Sequence, residues 1–118
     1  MTAINIENST ILNKNYRWVI YTTSEMQLVL MSLKPGEEIG LEVHKDVSQF
    51  LRIESGVGIA QVGDMKYAIK NSDAVIVPKG VKHNIINTSL TDDLKLYTIY
   101  SPPNHKDGLI QQVKPKDD

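Results

Sequence analysis

The sequence has no cysteine, which excludes disulfides and every thiolate metal centre. It holds one tryptophan and one phenylalanine, so aliphatic and β-branched side chains must fill most of any core. Charge of one sign is also missing: 13 basic and 14 acidic residues leave a net charge of −1. No basic block exceeds a couple of residues, which argues against a phosphate-tracking nucleic-acid surface. No apolar run approaches the ~20 residues that cross a bilayer. The first residues, MTAINIENSTILNKN, lack the basic flank and long apolar stretch of a secretory signal. A soluble, cytoplasmic protein with neither nucleic acid nor membrane as partner is the expectation.

What is present is enough for one globular domain, with 118 residues of which 41% are hydrophobic. The chain reads as strand after strand: 16–22, 26–33, 48–54, 58–62, 66–70, 74–78, 82–88 and 94–100. Turn-forming stretches separate them: KPGEE, ESGVG, VGDM, KNSD, PKG and TSLTDD. Short strands at this spacing predict an all-β sandwich or barrel. No apolar 3.6-residue period lasts long enough for a substantial core helix. Gly63-Asp64 suits the two-residue turn of a hairpin, and the charged tail 113–118 reads as frayed.

Alternation along strands then assigns faces. Gln49, Leu51 and Ile53 share one face, and Phe50, Arg52 and Glu54 the other. His83, Ile85 and Asn87 go together, as do Leu96, Thr98 and Tyr100, which face inward if Lys95 is solvated. Within 40–44, a stretch that also reads as strand, Glu42 and His44 point the same way. MQLVLMSL is apolar on both faces, so a second sheet or a second subunit is expected on its outer side.

Four groups gather from these inward faces: Glu42, His44, Gln49 and His83. Two imidazoles and a carboxylate form a donor set suited to Fe(II) that also takes Mn, Zn, Co or Ni. Each has a plainer reading. A lone strand histidine is more often a structural hydrogen-bonder, and Gln49 could bond a backbone group or a water. Glu42 inside a barrel is costly unless paired or coordinated. Asn87 reads as a strand-end hydrogen-bonder, and Tyr100, Tyr16 and Trp18 as packing residues. His105, in SPPNHKDG, is either a solvated turn residue or one that folds back over the barrel mouth.

PGEEIGLEVHKDVSQFLRIESG resembles the first cupin motif: Gly, five residues, His-x-His, three or four residues, Glu, six residues, Gly. The pattern falls on Gly36, Glu42-x-His44, Gln49 and Gly56. NSDAVIVPKGVKHNIIN resembles the second: Gly, five residues, Pro-x-Gly, two residues, His, three residues, Asn. It falls on Ser72, Pro78-x-Gly80, His83 and Asn87. The resemblance implies one cupin domain over 1–118, an all-β double-stranded β-helix (jelly-roll-like) barrel with motifs at 36–56 and 72–87. It implies a divalent metal (Mn, Fe, Ni or Zn) held by Glu42, His44, Gln49 and His83. Glu42 stands where the family has histidine and Gln49 where it has glutamate, which keeps the formal ligand charge while exchanging donors. Ser72 in place of glycine touches only turn geometry. The function implied is a metal-dependent enzyme, isomerase-like or dioxygenase-like, on a small sugar or keto acid; the alternative is a non-catalytic ligand- or metal-binding module. No catalytic residue is assigned. With no second barrel and no DNA-binding segment evident, a homodimer is expected and a DNA-binding regulator is not.

Overall fold

A computed structural model of the chain describes residues 3–116. The end of the expected frayed tail, residues 117 and 118, lies outside the described residues. In chain order the elements are α1 (Ile6–Leu12), β1 (Arg17–Thr22), β2 (Gln27–Leu33), β3 (Ser48–Ser55), β4 (Val57–Val62), β5 (Met65–Lys70), β6 (Ala74–Val77), β7 (His83–Asn87), β8 (Leu94–Ser101) and β9 (Ile110–Gln111). All pairings are antiparallel and form two sheets, ordered β6-β3-β8-β2-β1-β9 and β5-β4-β7. Isolated bridges Glu38↔Ile86 and Glu42↔His83 lay the segment before β3 along β7. The 40–44 stretch is therefore not a regular strand, as its spacing suggested. Gly40 sits at φ +105 between the two bridges and breaks the ladder.

The all-β architecture follows from the alternation. Leu51, Ile53, Leu96, Val29 and Met31 line the inner face of the larger sheet, all at most 1% exposed. Ala60, Ile69 and Ile85 of the smaller sheet complete the same core, as in two sheets packed face to face. Val62 pairs with Met65 across Gly63-Asp64, which is the two-residue turn expected there, with Gly63 at φ +60.

The outer face of β2 is covered differently from expectation. Leu30 is fully buried although it faces away from the core, and what lies across β2, β3 and β8 is α1 of the same chain. Asn5 caps this helix by accepting from Asn8 N at 3.0 Å. At its other end Lys95 donates Nζ to the Asn13 carbonyl at 2.6 Å, a cation placed on the helix's orphan acceptors. Lys95 does point outward, yet its side chain is only 12% exposed, because the helix end roofs it. Beyond α1 a strip remains uncovered, where Ile4, Ile20, Tyr21, Met26 and Leu28 line a shallow groove of about 360 Å³. No helix among the described residues is long and apolar enough to cross a membrane.

Two turns carry measurable consequences. Ser72 adopts φ +77, the left-handed region where a Cβ is strained. Ser72→Gly is expected to stabilise the fold by about 1 kcal/mol, read as a rise of a few degrees in thermal midpoint. Gly56, at φ +95, would place a Cβ 2.5 Å from the Asp93 carbonyl oxygen. Gly56→Ala is expected to cost about 2–4 kcal/mol in urea unfolding, combining backbone strain with overpacking.

Candidate metal centre at the barrel mouth

One transverse row of the larger sheet organises the site. Gln27 pairs with Tyr100 and Tyr100 with Gln49, which pairs in turn with Val77. Cross-strand partners share a face, so Tyr100 and Gln49 look into the barrel side by side. The row lies where β2 and β3 begin and where β6 and β8 end, at one mouth of the barrel. His83 opens β7 and Glu42 bridges to it. The hydrogen bond from Gly80 N to the His44 carbonyl, 2.9 Å, ties the two motif segments together at the same end.

The side chains meet there. The His44 and His83 ring centroids are 5.0 Å apart, and the His44 ring stands edge-on to Tyr100 at 5.8 Å. Glu42 Oε2 lies 3.5 Å from His44 Nε2. Glu42 and His44 thus share a direction, as their spacing suggested. His83 is buried and its Nδ1 lies 3.0 Å from the Val81 carbonyl. A carbonyl can only accept, so Nδ1–H donates to it, and in the neutral ring the lone pair is then on Nε2. Burial holds the His44 imidazole below its ordinary value, with the His83 ring and the Arg17 guanidinium as further causes.

Gln49 is 4% exposed. Its Nε2 donates to Thr98 Oγ1 at 2.9 Å, which turns the amide oxygen the other way. Gln49 Oε1 is buried with no hydrogen-bond partner among the described residues. Such a group costs about 1–3 kcal/mol in a finished core. Among the described residues no three His, Asp or Glu side chains stand close enough together to hold a metal ion. Asn87, one turn of the alternation beyond His83, is structural: its Nδ2 donates to the Leu33 and Asp92 carbonyls.

Three contributors escaped the sequence reading. Thr98 orients Gln49, and its inward parity was the available signal. Arg17 is 5% exposed on the same face as Met31, donating to Gln111 Oε1 and stacking over the Tyr16 ring. Its charge reaches His44 from β1, and a charged residue opening an apolar strand gave no hint of that. Gln27, fully buried, binds the segment carrying His105, and no spacing rule links residues so far apart. His105 itself folds back over the mouth: its Nε2 lies 3.3 Å from Tyr100 Oη.

The lowered His44 value fixes a pH dependence. The folded state binds its proton less readily than the unfolded chain, so folding is disfavoured as pH falls below the ordinary histidine value of about 6.5. With a chelator present, the thermal midpoint is expected to drop from pH 7 to pH 5, and His44→Asn should flatten that slope.

A family profile for the cupin domain matches residues 29–100. The uncharacterized protein L612 of Acanthamoeba polyphaga mimivirus is 47% identical over 117 residues, covering 97% of this chain and 73% of L612. YrkC of Bacillus subtilis strain 168, also uncharacterized, is 44% identical over 118 residues; the match covers 95% of this chain and 63% of YrkC. A crystal structure of the Bacillus halodurans protein BH2720 superposes with a TM-score of 0.90 at 37% identity, covering 93% of this chain and 87% of that one. The two sheets, the paired motifs at one mouth and these matches agree, and the chain belongs to the cupin family.

Proposed function

We propose that the barrel mouth binds a divalent metal ion through His44, His83, Glu42 and Gln49, and that the protein is a metal-dependent enzyme on a small sugar or keto acid. The single observation that carries this reading is the Gln49 amide. Its oxygen is buried without a partner, on the inward face shared with Tyr100, whose ring touches His44. A buried acceptor without a partner, next to a tyrosine that packs on His44, supports a cation site. Burial lowers the His44 pKa and the His83 Nδ1–H donates to Val81, and both arrangements favour metal ligation by a ring nitrogen. An amide oxygen in the set favours a harder ion such as Mn(II) or Fe(II).

A bound divalent ion supplies Lewis-acid polarisation of a carbonyl or hydroxyl oxygen. The chain's own residues position what surrounds that oxygen. Thr98 fixes the amide, Val81 fixes the His83 tautomer, and Glu42, a third of its side chain exposed, accepts or returns a proton at the mouth when not engaged as a ligand. A non-catalytic module with the same ligands is the alternative, and turnover of a small keto acid or sugar phosphate separates the two.

The test is metal analysis of untagged protein. Stoichiometric Mn, Fe, Ni or Zn is expected, falling at least about tenfold in the His44→Ala/His83→Ala double variant. Wild-type protein that takes up none of these ions after incubation would remove the metal-centre reading. The proposed assembly is a homodimer through the apolar strip around Tyr21 and Met26; light scattering at micromolar concentration should give twice the chain mass.

A further inference from the structure

Gln27 is fully buried at the start of β2, next to Tyr100 in the mouth row. Its amide makes four hydrogen bonds. Nε2 donates to Thr22 Oγ1 at 3.0 Å and to the His105 carbonyl at 2.8 Å. Oε1 accepts from Asn104 N at 3.1 Å and from His105 N at 2.9 Å. A primary amide has two N–H donors and two oxygen lone pairs, so every site it offers is used. Three of the four bonds go to the backbone of two consecutive residues, 78 and 77 positions away in the chain. They hold the segment after β8 rigidly across the mouth.

The purpose of that clamp is visible in what it places. His105 is half-buried, its ring edge-on to Tyr100 at a centroid distance of 5.1 Å, with Nε2 at 3.3 Å from the phenol oxygen. Tyr100 in turn touches His44. The aromatic series His83, His44, Tyr100, His105 is therefore continuous, with successive ring centroids 5.0, 5.8 and 5.1 Å apart. A loop needing only to close the barrel would be held as well by an apolar contact. A buried amide with two of its four bonds on the His105 backbone and a third on Asn104 N fixes where that imidazole stands.

We infer that His105 is a ligand-contacting residue of the mouth, paired with Tyr100 to hydrogen-bond an oxygen of a small carboxylate- or carbonyl-bearing molecule, and that Gln27 is its positioning residue. The inference rests on the reading of the mouth as a binding site, but it does not require that a metal be bound. The ring and phenol offer a donor and acceptors in a fixed arrangement. They stand beside His44 at the end of the barrel where β8 finishes.

The experiment measures binding of pyruvate and of malonate, by calorimetry and by histidine ring NMR, to the full chain both metal-free and loaded with Co(II). His105→Ala is expected to weaken the better-bound probe by about tenfold, the scale of one lost hydrogen bond, while changing Co(II) affinity less than about twofold. His105→Gln, which keeps donor and acceptor, should recover most of the loss. Gln27→Met should weaken the probe similarly and abolish the ring-current shift that Tyr100 imposes on the His105 ring. Probe affinity unchanged in His105→Ala overturns the inference, as does failure of both probes to bind wild type in either form. So does a loss of Co(II) affinity in His105→Ala, which would make His105 a metal ligand. If wild type takes no Co(II), the metal reading falls by itself, and the comparison on metal-free protein still decides the role of His105.

Discussion

Everything at the mouth depends on the register between β8 and its two neighbours. The pairs Gln27↔Tyr100 and Gln49↔Tyr100 put one amide on each side of the same phenol. That register is not set by the polar residues themselves. It is set by Leu51, Ile53 and Leu96, all fully buried, and by Val29 and Met31 across β2. Each such side chain is worth about 1.5–3 kcal/mol in burial. A slip of one residue would expose the set and turn Phe50, Arg52 and Glu54 inward. The site is thus positioned by an apolar core that takes no part in its chemistry, and the pleat carries that precision to the mouth.

The same logic explains how polar groups are tolerated inside. Most are matched bond for bond: Asn87 on two carbonyls, Gln27 on four partners, His83 on Val81. Gln49 is matched on its nitrogen and left open on its oxygen. Local imperfection of this kind is where a fold gives up stability for function.

Much of this was legible in the sequence because period two is a strong signal. Parity put Gln49 with Leu51 and Leu96 with Tyr100, and six turn stretches separated most of the eight longer strands. The gapped motifs gathered His44 and His83 although 38 residues separate them. What escaped was of two kinds. Segment 40–44 alternates like a strand, but a positive-φ glycine reduces it to single bridges, a conformational fact that alternation does not encode. The covering of Leu30 by α1 and the clamp of Gln27 on His105 are long-range contacts between short polar segments. Neither has a periodic signature. Lys95 teaches a related lesson: it points outward as its parity said, yet a helix end rather than water receives it.

The exchange of donor types between positions 42 and 49 now has a physical reading. Position 49 is the deep one, 4% exposed beside Tyr100 in the same row, and position 42 keeps about a third of its side chain in solvent. A carboxylate at 49 would be a buried charge whenever no cation stood beside it, at a cost of roughly several kcal/mol even after relaxation. An amide there costs far less, since Thr98 takes its nitrogen. Moving the negative charge out to Glu42 places it where water still screens it. The proposed donor set would then keep one carboxylate for a divalent ion, while the barrel without an ion would escape the heaviest desolvation term. On the proposed reading of the mouth, the unusual pair keeps the fold stable without a metal, with affinity for an ion as the quantity given up.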